Sequence, residues 1–225
     1  PFKGRLLLGL TVVLGLFSGL AASGEWGRFL QWRNSTPFGM TDPQFGLDVS
    51  FYTFELPFLR FLLGFAFAAT FIALALGVVV HYLFGGLRLQ PKGDRATTAA
   101  QVQISITVAI FLFLKAIAYW LDRYDLVIQS SELAGGFTGL QYTDVNAKLP
   151  ALNILMFVAV LVGLLFLLNA FRRQWIIALI GLGLMVLTSV IVGGVYPLIV
   201  QQFQVRPTEL GRERPYIERN IEATR

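Results

Sequence analysis

The sequence contains no cysteine and a single histidine, His81. Disulfides and thiolate metal centres are therefore excluded, as is a haem or metal site built from several histidines of this chain. Charge is scarce too: Asp, Glu, Lys and Arg make up 14% of the 225 residues, against 56% hydrophobic. Soluble domains carry about 25% charged residues, so this composition falls outside their class. The formal charge of +5 is scattered over short loops rather than gathered on one face, which argues against nucleic-acid binding. Signatures of catalysis are missing as well. No Ser-His-Asp order, phosphate loop, metal-ligand cluster or convergent carboxylate pair falls within the apolar runs, so neither a cofactor nor an enzymatic activity is expected.

What the chain does have is long apolar runs. The most telling is ISITVAIFLFLKAIAYWLDRYD at 104–125, whose apolar part lies at 102–121 and holds one charge, Lys115. About 20 residues at 1.5 Å each make the roughly 30 Å needed to cross a bilayer's hydrocarbon. Tyr119, Trp120 and Tyr124 close the run, where amphipathic rings suit the headgroup region. A buried helix of a large soluble protein is the alternative, but four further runs leave too little polar sequence to cover them. The expected fold is an all-α polytopic membrane protein of about five transmembrane helices, at 6–22, 58–84, 102–121, 151–171 and 175–200. Ordered extracytoplasmic loops would join them, and 201–225 would begin an extracytoplasmic soluble region, helical from Pro215 to Thr224.

A cation within a span is a candidate functional group. Lys115 lies about 9 Å below Leu121, and helical side chains lean toward the helix N-terminus, here away from the nearer boundary. A protein partner is therefore expected. Tyr119 and Asp122 share its helix face, and Glu55 of an outer loop is a further candidate. The structural alternative is a lysine pinned by a carboxylate that keeps two helices in register. Arg60 and His81 fall near the two ends of the second span, where anchoring is favoured over proton carriage.

Along the chain, Gly9, Gly15 and Gly19 offer a small-residue surface in the first span. Trp26, Phe29, Leu30 and Trp32 or Arg33 recur at helical spacing, which predicts a short interfacial helix. Pro37, Pro43 and Pro57 predict that the following stretch is not one continuous helix but an ordered loop. Asp42 or Asp48 would cap its turns; read instead as a calcium loop, the pair lacks alternating ligands. Gly93 and Asp94 predict a turn, Thr97 or Thr98 a helix cap, and Pro150 a helix start after the polar cluster 142–146. Arg172-Arg173-Gln174 forms a tight basic hairpin. Gly181, Gly183, Gly193 and Gly194 give the last span a small-residue surface, and Pro197 is placed to kink its exit.

Basic residues set the expected orientation. Lys3, Arg5, Arg88, Lys92, Arg95, Arg172 and Arg173 lie on one side with a single acid, Asp94. The opposite loops hold Arg28, Arg33, Arg123 and Lys148 among eight acids. The positive-inside rule puts the first group in the cytoplasm and the tail outside, although the tail's own arginines run against the count.

Several stretches then form a recognisable set: TPFGMTDPQFGLDVSFYTFELPF, HYLFGGLRL, LKAIAYWLDRY, YTDVNAKLPALNIL, GGVYPLIVQQFQV and ERPYIERNIEATR. Together they resemble the large bacterial membrane proteins of uncharacterised protein family number 0182. That resemblance implies about seven N-terminal spans followed by a large extracytoplasmic domain. This chain would then be the later five spans of a longer protein in the bacterial plasma membrane. It implies no activity, substrate or catalytic residue. The expected role is a membrane anchor and assembly module whose partners are the lipid bilayer and other membrane proteins or the rest of the same protein. The alternative is a transporter or channel component with Lys115, Arg60 and Glu55 on its path.

Overall fold

In the computed structural model, the described residues are 2–87, 96–129, 139–172 and 175–223, and nearly all of them are helical. No strand longer than an isolated bridge occurs among them. In order, the helices are α1 (Phe2–Ser23), α2 (Trp26–Arg33), α3 (Leu56–Leu83), α4 (Thr98–Ile128), α5 (Leu149–Arg172), α6 (Trp175–Thr188), α7 (Tyr196–Ile199) and α8 (Glu209–Ala223). Four helical stretches among the described residues are long and apolar enough to cross a membrane: Phe51–Leu83, Thr98–Ile128, Asp144–Arg172 and Trp175–Arg219. The turn at Gly93-Asp94, the basic residues Arg88, Lys92 and Arg95, and Arg173 with Gln174 lie outside the described residues.

All four of these stretches run past the bounds expected from composition, and in three of them proline shows how. A proline lacks the N–H that would bond the carbonyl four residues back, and its ring crowds that same carbonyl. Here the turn before it widens. The N–H of Leu56 bonds Phe51 O, that of Leu149 bonds Asp144 O, that of Tyr196 bonds Ile191 O and that of Arg206 bonds Gln201 O. Each is a five-residue step rather than the usual four, and the next residue is Pro57, Pro150, Pro197 or Pro207 respectively. Such π turns displace the crowded carbonyl while keeping the helix whole. The predicted break at Pro57 is thus overturned, and the helix predicted to start at Pro150 is already under way at Asp144. Helix also continues beyond residue 200, through one widened turn and a short 3-10 turn into α8.

The chain divides into two compact units, Pro1–Phe61 and Leu62–Arg225, with the boundary inside α3. In the first unit, α2 exposes all its residues or leaves them half-buried, as an interfacial helix would. Trp32 stacks on Phe58 at 4.6 Å between centroids, and Phe29 tilts against both rings. The loop that follows is held by two carboxylates. Asp48 accepts the N–H groups of Phe38, Gly39 and Ser50 at 3.0, 2.9 and 2.8 Å. These bonds, that of Phe38 first, lower its pKa from the ordinary 3.8 to about 2. Asp42 accepts Gln44 N–H, Phe45 N–H and the Tyr52 hydroxyl. Gly39 and Gly46 take left-handed φ of 75° and 67°, which lets so short a loop reverse and pair Thr41 with Asp48. Both acids therefore cap turns, as their type and spacing predict.

In the second unit α4 begins at Thr97, whose hydroxyl accepts Ala100 N–H at 3.4 Å. The core lies between α4, α5 and α6, with Ala109, Ala116, Ala159 and Ala178 allowing close approach around Leu155 and Phe166. Small residues do what the bilayer cannot, since lipid tails provide no hydrophobic drive for helix association. Gly163 faces the Phe113 ring so closely that a Cβ there would stand 2.9 Å from it. Gly181 similarly receives Leu165. One polar pair crosses this core: buried Asn169 donates to Ser105 Oγ at 2.8 Å. Around it, α6 turns most of its Ile and Leu side chains outward, Ile176 being 72% exposed, which leaves it a largely apolar outer surface.

Candidate functional site

Two polar places in the second unit stand out against this apolar frame. The first surrounds Lys115. Tyr119, one turn further along α4, leans back toward the N-terminus as helical side chains do, and the ammonium rests over its ring, 4.4 Å from the centroid. The Tyr119 hydroxyl in turn lies 3.5 Å from Ser189 Oγ, the first residue of the π turn after α6. These three groups share an apolar cavity of about 510 Å³ lined by α3, α4 and α6, with Phe71, Leu112 and Met185 among its walls. It opens outward, since Phe71 and Val186 on its rim are 61% and 58% exposed.

The expected neighbours of Lys115 are thus only partly assembled. Tyr119 is there. Asp122 instead lines a smaller cleft of about 180 Å³ with Gln129 and Lys148, on the side of α4 toward α5. Glu55 belongs to the first unit, half-buried in the π turn Phe51–Glu55, with Arg60 one turn beyond it at the start of α3. His81, at the far end of α3, bonds Gln103 Oε1 through Nε2 at 2.8 Å and so ties α3 to α4. This is an anchoring contact, in keeping with its place near a span end.

The second place is a clamp between the start of the stretch that contains α5 and the tail helix α8. Tyr142 N–H donates to Glu213 Oε2 at 3.0 Å, and Arg212 Nη1 donates to the Tyr142 hydroxyl at 2.7 Å. The Arg212 guanidinium also lies over the Tyr142 ring at 4.9 Å. Asn146 Nδ2 donates to the Tyr216 hydroxyl at 3.0 Å, and the two tyrosine rings meet edge to face. Deeper in, the Thr143 hydroxyl donates to Gln201 Oε1 in a very short bond. Asp144 accepts Gln141 N–H at 3.0 Å and pairs with Lys148 at 2.8 Å. Gln141, Thr143, Asp144, Gln201 and Glu213 are all buried. Val200 and Val205 pack on Ala147 beneath them. Sequence reasoning noticed the polar cluster 142–146 but missed Gln201, Arg212, Glu213 and Tyr216. Arg212, Glu213 and Tyr216 lie on the tail helix some 70 positions away and Gln201 in the widened turn before it, 58 positions from Thr143.

Among the described residues no group of three or more His, Asp or Glu is placed to hold a metal. Chemically, the first place offers a cation in an apolar groove, and the second a rigid joint.

The sequence profile of the uncharacterised protein family UPF0182 matches residues 2–225. The chain belongs to that family. UPF0182 proteins of Streptomyces coelicolor, Frankia alni and Thermobifida fusca are 52%, 50% and 50% identical to it over its whole length. The chain spans only 23%, 22% and 22% of those relatives, which are bacterial proteins roughly four times longer. No solved structure matches. Both the Lys115 groove and the clamp therefore describe one part of a larger UPF0182 protein.

Proposed function

We propose that this segment is the membrane-embedded anchor and assembly module of a larger UPF0182 protein, without enzymatic activity of its own. Five helices cross the bacterial plasma membrane, α1 with its 22 residues counted among them. The basic turns face the cytoplasm, and α8 and the loop after α2 face outward. Its partners are the lipid bilayer and the remainder of the longer protein or neighbouring membrane proteins.

The clamp carries this reading. A helix that merely left the membrane would need no buried carboxylate, yet α8 is fixed to the head of another helix by four side-chain contacts around Tyr142 and Asn146. Such a joint sets the direction in which whatever follows is carried. Because this segment has no cysteine, a pair introduced as Tyr142→Cys and Glu213→Cys can be cross-linked in the full-length protein. Cross-linking should leave partner co-purification intact, whereas Arg212→Ala with Glu213→Ala should release partners or expose the junction to protease. Unchanged co-purification and protease resistance in the double variant would remove the anchor reading. Orientation is read separately from Asn146→Cys and Arg172→Cys, of which an impermeant thiol reagent should label only the first in whole cells.

A further inference from the structure

Lys115 presents a cation to a groove whose walls are otherwise mostly hydrocarbon, and its ammonium rests on a ring face. A ring quadrupole softens the desolvation of an ammonium but carries no neutralising charge. The polar groups are also not spread through the cavity. Lys115 and Tyr119 are the last lining residues that α4 supplies, Ser189 directly follows α6, and the lining residues that precede them, such as Leu112 and Met185, are apolar. Since α4 and α6 both follow the same sense through the unit, the groove has a charged end and a greasy end. Its volume falls within the range of sites that hold a small molecule.

We propose that this groove binds an anionic phospholipid of the surrounding bilayer. The phosphate sits on the Lys115 ammonium and within reach of the Tyr119 and Ser189 hydroxyls, and one acyl chain lies along Leu112, Met185 and Phe71. The complement is both electrostatic and steric: one positive charge meets one negative charge, and a methylene chain fills the space that water would otherwise leave unfavourably wet. Entry is lateral, through the exposed rim at Phe71 and Val186, so the ligand comes from the membrane itself. The inference does not depend on the anchor reading, because it concerns a different face of the unit from the clamp.

The test uses the full-length protein in nanodiscs of phosphatidylcholine doped with either phosphatidylglycerol or phosphatidylcholine bearing a photoactivatable acyl chain. Adducts are mapped by peptide mass spectrometry to the groove segments of α4 and α6. Phosphatidylglycerol should label them about fivefold more than phosphatidylcholine, the discrimination one lysine gives against one anionic headgroup. Lys115→Met should bring the ratio to unity, and Lys115→Arg should preserve it, which separates loss of charge from loss of fold. Val186→Trp, at an exposed rim position, should block labelling by both lipids. An unchanged ratio in Lys115→Met would overturn the proposal. So would equal labelling by the two lipids in the wild type, competition by free oleate but not by phosphatidylglycerol, or absence of any adduct because another segment of the longer protein fills the groove.

Discussion

The clamp and the Lys115 groove hold charge in opposite ways. In the clamp, Glu213, Asp144 and Arg212 each meet a hydrogen-bond partner, while Glu213 Oε1 and Gln141 Nε2 are buried without one. In the groove a single ammonium is answered by an aromatic face. The clamp's bonds join residues some 70 positions apart, so it reads as part of what holds the tail helix in one arrangement. The isolated cation contributes no such rigidity. The difference teaches that polarity among apolar helices can join distant segments, as at Tyr142 and Glu213, or stay within one helix facing a groove, as at Lys115 and Tyr119.

That contrast can be broken by substitution. Glu213→Ala leaves Tyr142 N–H without its acceptor and should destabilise the second unit by about 2 kcal/mol, seen as a lower melting temperature in detergent. Lys115→Met should act in the other direction. Removing a cation from apolar surroundings should stabilise the lipid-free protein by about 1 kcal/mol in the same assay, and a loss of stability equal to that of Glu213→Ala would erase the distinction. A third carboxylate sharpens the comparison at the smallest scale. Asp48 is half-buried and held by three backbone N–H groups, with a pKa of about 2 against an ordinary 3.8. A lowered folded-state pKa means the contribution is complete above pH 3.8 and disappears as pH falls toward 2. Amide-exchange protection at Phe38, Gly39 and Ser50 should fall through that window while protection at Tyr142 is set by the clamp.

How much of this was legible in the sequence follows from the range of each interaction. Apolar runs announce themselves locally, so α3, α4 and α5 were expected near their observed places. The cap at Thr97, the turn carboxylates Asp42 and Asp48 and the pairing of Lys115 with Tyr119 all act within ten residues, and all were foreseeable. The clamp was not, because Tyr142 and Glu213 are 71 residues apart and neither is unusual where it stands. Asp122, seven residues and nearly two turns beyond Lys115, also lines a separate cleft toward α5, which helix periodicity alone does not reveal. Pro57 was misread by treating proline as a stop signal, when a single widened turn absorbs it.

The four widened turns have one more effect. Each inserts a residue beyond the ordinary count, and one residue of α-helix corresponds to about 100° of rotation. Between α6 and α8 two such insertions therefore decide which compass bearing the tail helix presents when it emerges. Deleting a single residue from Ser189–Val195 would restore a regular coil and at the same stroke swing Glu213 away from Tyr142, so the prolines and their loosened turns act as the angular setting of the whole exit shaft.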